Sequence, residues 1–598
     1  MGVVVRLLPW VLGLLIALMA LGPALGPGYV LRYDMVFVPG LSLTTVVAGA
    51  DGFPRAIPSD AVVAALSMFL PGDVVQSLFL TAVFVLGAAG AFRLAVGLLH
   101  GTGPVPVVAL AGGAVAGLAY TWNPFVAERL LLGQWAALLG YAGLPWVLAA
   151  VVRLAFLPAS RGLAGLVGAL APAAVGGFSS VVLSALIAGP RALRRWRDAG
   201  LVLLALALVS LPWLLPSLTG GAETDPAGVE AFAARADTPF GTVGSLLLLG
   251  GVWNSGAVPP GYGEPVTAAA RSLVVAVALL GWVWWSWRTR HAVAVGLSVS
   301  AGLGLSIALL GTFAPGVLVS LIDLWPGFGP LRDGQLYVAP FALLQALGLS
   351  AAVLWSLGVL RGTEWAPSGE VPGLGRIVTA VFLGLAPVMV LPGLLWGAGG
   401  RLEPVEYPSA WQEAQAVVSA DERPGAVLVL PWSAYRGLEW SGETVVTLDP
   451  ATKLFDRRTL WNDDLRIGTP DGGAVSVTGE DTRAREVAAL LEPAPKTGLP
   501  TVDPGESPEV LGSLGVRYVV VSAPVEGEPL FTADGLSVLV EGRDMLLVEV
   551  ADRYVDAEPE GGHGLVVLAS VITLGTFLWS LIIVARIGSS SMGHSGMR

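Results

Sequence analysis

Residues 162–189 read GLAGLVGALAPAAVGGFSSVVLSALIAG. The run is apolar and long enough to cross a bilayer once, which takes about 20 residues. Ala171-Pro172 and Gly176-Gly177 interrupt it in the middle. Pro removes a helix-interior N–H and Gly weakens a helix by its backbone freedom. A single crossing would also carry Arg191, Arg194, Arg195 and Arg197 to the outer face, against the tendency of basic residues to stay inside. Two half-helices that enter and leave by one face keep these arginines inside. Broken backbone at membrane depth is tolerated only where protein or a cavity surrounds it. The spacing therefore predicts a re-entrant helix pair within a bundle.

Working outward, apolar runs predict ten full spans near 7–26, 74–99, 104–121, 135–156, 199–216, 267–287, 292–311, 335–360, 377–396 and 564–585. The first exceeds the roughly 7–15-residue core of a signal peptide and is expected to remain as an anchor. Arg6, Arg93, Arg153, Arg161, Arg288, Arg290, Arg361, Arg376 and Arg586 join the arginine cluster at the ends expected to be cytoplasmic. Segments 27–73, 122–134, 217–266, 312–334 and 400–562 then face outward. The expected fold is a membrane all-α polytopic bundle over 1–399, an inserted extracytoplasmic mixed α/β domain over 400–562, and a last span with a cytoplasmic tail over 563–598. The expected location is the plasma membrane.

Composition agrees with a polytopic chain. Only 13 % of the 598 residues are charged and 54 % are hydrophobic, where a soluble chain carries about 25 % charged residues. Mean hydropathy is +0.73. The net charge of −11 averages two unlike parts: residues 401–562 hold 29 acids and 13 bases, and the rest 15 acids and 20 bases. Neither part has the basic stripe of a nucleic-acid binder, so no nucleic-acid partner is expected. The absence of cysteine excludes disulfides, thiolate metal sites and a Cys nucleophile. The four histidines are not spaced to share a metal.

In the acidic segment, 426–430, 517–522, 536–540 and 545–549 read as strands, and 409–419, 482–492 and 507–514 as helices. It holds no Gly-rich phosphate loop, GxSxG or HExxH. Asp463-Asp464 and Glu480-Asp481 read as solvated loop acids, with Ca²⁺ or glycan contact as the alternative.

Five segments carry the candidate chemistry. Asp34, in LRYDMVFVP, follows the first span and precedes an apolar run. A carboxylate held against apolar surface is more readily protonated, which suits a general base near neutral pH. Asp51 lies in a Gly-Ala-Asp-Gly turn, while Asp60 and Asp73 read as helix N-caps. Glu128 and Arg129, in TWNPFVAERLLLGQW, are ionisable residues at the membrane edge that should face a cavity or a partner. In the same stretch Gln134 and Trp135 suit a sugar or polyprenyl site, and an interfacial Trp belt explains Trp135 equally well. Arg332 and Asp333, in GFGPLRDGQLYV, precede another span, and Arg332 can clamp a phosphate with paired N–H donors.

This layout resembles the GT-C superfamily of membrane glycosyltransferases. The shared features are the first outer loop with its acid, the broken helices, the outer-facing loops and an exported domain near the C-terminus. NPFVAERLLLGQW and LRDGQLYV look like segments of large actinobacterial and archaeal members. LGVRYVVV and LSVLVEGRDMLLVEV look like the end of YfhO-like relatives. The resemblance implies transfer of a sugar from a polyprenyl-phosphate donor to an envelope glycan or glycolipid, outside the membrane. It implies a base or metal-ligand role for Asp34, with a divalent cation as a conceivable cofactor. Many members pair two acids there, whereas Met35 follows Asp34 in this chain. In the mechanism so implied, Asp34 is the catalytic base, and Arg129 and Arg332 contact phosphate within a substrate site that includes Glu128, Gln134 and Asp333. The alternatives are a non-catalytic envelope-assembly scaffold and a lipid transporter. The second should show internal repeats and mid-membrane charges, and no clear repeat is visible.

Overall fold

The computed structural model describes residues 2–48, 56–100, 107–219, 224–358, 360–361, 364–365, 372–468, 473–490, 492–493, 500–501, 508–522, 534–556 and 564–593. Asp51 lies outside them.

Among the described residues nine helices are long and apolar enough to cross a membrane. Eight coincide with expected spans: Arg6–Leu25, Gly72–Leu99, Trp135–Leu154, Trp196–Leu218, Pro265–Thr289, Ala292–Phe313, Gly334–Ser356 and Gly564–Arg586. Two expectations remain. Within the run at 104–121 the described residues form the helix Val107–Thr121, and residues 104–106 lie outside them. The run at 377–396 is two helices, Leu374–Met389 and Pro392–Gly400, bent by 56°. Pro392 forces Leu391 out of the helical region, to φ −143°, ψ 60°.

Small residues bring the central helices together. A Cβ on Gly281 would lie 2.2 Å from Gly348 O, and one on Gly348 would lie 2.1 Å from Ala278 O. The two helices thus pack backbone to backbone, as small-residue seams allow.

The stretch 162–189 folds as a broken pair. One helix covers Ala159–Ala169, and the next, Ala171–Ala192, breaks at Gly177 with φ 72°, ψ −154°. By length and composition Ala171–Ala192 passes for a span, but its contacts show the chain turning back. Arg197 Nη2 donates to Leu157 O at 2.6 Å, beside the end of the Trp135–Leu154 helix. Ser180 Oγ meets Ala136 O at 3.4 Å, at that helix's start. Both limbs therefore begin and end at one end of the bundle, with the apex near the other.

The α/β domain has a five-stranded sheet in the order Leu536–Glu541, Leu546–Val550, Val516–Val521, Ala426–Leu430, Thr459–Leu460. The last three strands run parallel and the first two pair antiparallel. Ala426–Leu430 and Val516–Val521 are buried at every residue, as expected of parallel strands covered on both faces. Trp411, Ala414 and Val418 cover one face, and Ala484, Val487 and Leu511 the other.

The first loop enters this domain. Leu31, Val36 and Val38 belong to the same core cluster as Trp411 and Val427. Tyr29–Val30 pairs with Pro404–Val405, Tyr407 Oη donates to Phe37 O at 2.8 Å, and Gln415 Nε2 donates to Pro39 O at 2.7 Å.

Candidate functional site

The site forms where the first loop, the short Pro124–Leu131 helix and the α/β domain meet. Asn123 caps that helix by accepting from Val126 N at 3.1 Å, and Pro124 occupies its first position. All eight residues of the helix are buried. Gly133 then turns the chain with φ +76°. A Cβ there would lie 2.2 Å from Arg32 O and 2.3 Å from Met35 N, so only glycine lets this turn press on the backbone around Asp34.

That backbone is gripped from two sides. Asp34 N donates to Leu132 O at 3.1 Å in the body, and Tyr33 N donates to Val446 O at 2.8 Å in the domain. Leu448 N returns a 2.8 Å bond to Tyr33 O. Tyr33 has φ +43°, a left-handed conformation that costs a non-glycine residue about 1–2 kcal/mol and persists where its surroundings hold it. Asp34 therefore projects from a strained, clamped turn.

It projects into a cavity of about 1600 Å³. Trp213, Leu214 and Leu218 of the Trp196–Thr219 helix, with Phe178, Trp253 and Trp325, give this cavity an apolar wall. Asp34, Gln134, Arg332 and Asp333, with Tyr435 and Lys453 from the domain, supply polar groups. Gly176, Phe178 and Ser179, the apex of the broken pair, also line it. The break that the sequence placed within the bundle thus borders a cavity.

Asp34 is exposed to this space, not pressed against apolar surface as its sequence context suggested. Its Oδ1 accepts from the Tyr435 hydroxyl, and its Oδ2 from Gln134 Nε2 at 3.2 Å. Gln134 Oε1 in turn accepts from Arg129 Nη1 at 2.6 Å. Arg129 forks onto Asp333 through Nη1 and Nη2, and it reaches Gln335 Oε1 through Nε at 2.8 Å and through Nη2. Gln335 Nε2 donates to Glu128 Oε2 at 3.0 Å.

The expected phosphate contact by Arg129 is corrected by this network. Arg129 is fully buried, and its five N–H groups are all used internally. It holds Asp333 and Gln134, and through Gln134 it holds Asp34. Glu128, expected in the substrate site, is also fully buried and lies outside the lining of this cavity. Burial, and then Asp237 beside it, pushes the Glu128 carboxyl well above the usual carboxylate range. Glu128 Oε1 and Asp237 Oδ1 both lack a partner when written as ionised oxygens. The raised carboxyl favours the protonated form, whose O–H can serve as a donor between the two.

Arg332 does face the cavity. Its guanidinium lies 5.1 Å over the Phe232 ring and 4.0 Å from Glu480 Oε1. Trp135 is buried against Phe37 and Phe79 and is not on the lining of this cavity. Asp60 is not an N-cap: it sits within the first turn of Ile57–Ser67 and pairs with Lys453 Nζ at 2.8 Å. Asp73 receives Gly28 N at 3.2 Å and Val74 N at 2.9 Å. In the domain, Asp481 caps Thr482–Ala488 and Asp464 receives Gly479 N at 2.7 Å, so these acids order their own loops.

Sequence reasoning missed Tyr435, Gln335, Asp237 and Gly133. Gln335 carried a signal, as a polar residue opening an otherwise apolar span. Tyr435 lies 401 residues from Asp34, and nothing local links them.

Among the described residues no three His, Asp or Glu side chains gather as a metal site.

No protein-family model matches the chain, and no curated protein matches it by sequence. Among solved structures it is similar to the cryo-EM structure of the arabinofuranosyltransferase AftD from Mycobacteria. The identity is 17 % and the TM-score 0.56, over 92 % of this chain and 40 % of that one. A mutant of the same protein gives 17 % and 0.53, over 91 % and 41 %. The chain thus spans about two fifths of the length of the structures it matches, and over that length it has their fold.

Proposed function

We propose that the chain is a membrane glycosyltransferase that moves a sugar from a polyprenyl-phosphate donor to an envelope glycan or glycolipid. The observation that carries the reading is the two-natured cavity. Its apolar wall suits a prenyl chain, its polar groups suit a sugar phosphate, and Asp34 is held between them. The fold shared with AftD supports it, and arabinofuranose is the donor sugar to try first. Orientation follows from charge. Arg93, Arg153, Arg191, Arg197 and Arg288 mark the end of the bundle away from the cavity. By the preference of basic residues for the cytoplasm, the α/β domain is extracytoplasmic in the plasma membrane.

In this mechanism the Asp34 carboxylate takes the proton of an acceptor hydroxyl. The acceptor oxygen bonds to the anomeric carbon as the bond from that carbon to the phosphate oxygen breaks. The phosphate leaves with the electron pair, and the sugar passes through an oxocarbenium-like state. Arg332 stabilises the developing phosphate charge. Arg129, Asp333 and Gln134 hold the base in place.

The test is incubation of purified full-length chain with labelled polyprenyl-phosphoryl arabinofuranose and an arabinose oligosaccharide. Transfer by wild type and none by a folded Asp34→Asn variant is expected. Equal transfer by the variant would remove Asp34 from the chemistry. Lipid extraction with no transfer would favour a scaffold.

A further inference from the structure

We infer that Tyr435 of the α/β domain is the positioning residue for the Asp34 carboxylate, so that the site is assembled only across the seam between domain and membrane body. The inference rests on reading Asp34 as the base.

The geometry is specific. Tyr435 opens the strand Tyr435–Leu438, which pairs with Val445–Leu448. The hairpin acts on both parts of the turn: Val446 and Leu448 hold the backbone of Tyr33, while Tyr435 holds the side chain of Asp34. A single hairpin therefore sets both the position of the turn and the rotation of the carboxylate. The Tyr435 ring also lies 6.4 Å from the Tyr33 ring, tilted by 58°.

The hairpin is itself anchored. Asp449, at its end, is fully buried. It takes Ala451 N at 2.9 Å and the Ser522 hydroxyl, and Arg436 Nη1 lies 3.6 Å from it. Ser522 directly follows the central strand Val516–Val521. The position of Asp34 is thus referred through Tyr435 and Asp449 to the sheet of the domain, and through Gln134 and Arg129 to the body. Asp34 is held from both, one oxygen by each. A domain that merely hung from two spans would contribute no such bond.

The consequence is chemical as well as geometric. A hydroxyl donated to a carboxylate favours its charged form, so Tyr435 keeps the base ionised towards lower pH. Titratable or charged groups near Asp34 include Arg32 and Tyr33 on its own segment, Arg129 with Asp333 behind Gln134, and Arg332 on the lining of the same cavity. Arg32 is committed to Leu131 O and Gly256 O, each at 3.2 Å.

The experiment compares full-length wild type, Tyr435→Phe and Asp34→Asn in the labelled arabinofuranose assay, over a range of pH. Tyr435→Phe should lower kcat by about 10–100-fold, the scale of one hydrogen bond to a charged group. The donor KM should be unchanged, and the acid limb of kcat should move to higher pH. A purely structural tyrosine would not move that limb. If the phenylalanine variant does not fold, 3-fluorotyrosine at 435, a stronger donor, should move the limb to lower pH. An inactive Asp34→Asn beside a Tyr435→Phe of normal kcat, or an unmoved limb in either 435 variant, overturns the positioning role. An active Asp34→Asn instead overturns the base itself, and the two failures are thereby separate.

Discussion

Gly133→Ala is the sharpest perturbation of this site, because it adds one methyl group and removes nothing. The added Cβ would start 2.2 Å from Arg32 O and 2.3 Å from Met35 N, and Cβ contacts essentially never fall below 3.0 Å. Both neighbours are backbone, so no side chain can swing away. The turn must recede by most of an ångström, and it carries Asp34 between those two contacts. A misplacement of about 1 Å at a reacting group can cost about 100-fold in rate. The new side chain also pays about 1–2 kcal/mol for its left-handed φ. Gly261→Ala separates these effects: its φ is +73°, and a Cβ there meets nothing within 4 Å. The control should show a similar φ cost in thermal unfolding and wild-type transfer. Gly133→Ala should lose about 100-fold in kcat. If Gly133→Ala instead turns over like Gly261→Ala, the contact does not position Asp34 and the reasoning fails.

Two further substitutions examine the buried network. Arg129→Lys keeps the charge but offers three donors for five, stranding acceptors at about 1–3 kcal/mol each; a thermal midpoint equal to wild type would contradict the network. Glu128→Gln addresses the proton on Glu128. Because the folded-state carboxyl is raised above its ordinary value, the folded chain holds a proton that the unfolded chain releases as pH rises past the usual carboxylate range. Stability is thus fully present below that range and declines as pH rises towards the folded value, by at most about 1.4 kcal/mol per pH unit. The glutamine variant should show a flatter dependence of thermal midpoint on pH, and an identical slope would place the proton elsewhere.

Much of the fold is legible because its signals are local. A span is a run of apolar residues, and eight of the expected ten appear as continuous helices. The broken pair is readable from Pro172, Gly176, Gly177 and the arginines that follow. The bend within 377–396 also has a local cause, in Pro392. The site is less legible. Arg129 and Asp333 were both singled out, but sequence cannot say that they satisfy each other across 204 residues. A guanidinium with five bonds inside the protein and one facing a phosphate carry the same sequence signal. The threading of Leu31, Val36 and Val38 into the domain core is invisible for the same reason. An apolar run after a first span reads as membrane surface.

That threading bears on how the site keeps its order. Within the network, Arg129 pairs with Asp333, and burial raises the Glu128 carboxyl towards its neutral form. Asp34 and Arg332 both line the cavity, and Arg332 lies 4.0 Å from Glu480 Oε1. An anionic donor is drawn to the guanidinium and repelled by the carboxylate, so its phosphate belongs on the Arg332 side and the acceptor hydroxyl on the Asp34 side. Strain at Tyr33, the Gly133 contact and the bonds from Tyr435 and Gln134 fix where the carboxylate sits. A strained turn persists where its surroundings over-determine it, and here they hold in one place the group that the proposed transfer needs.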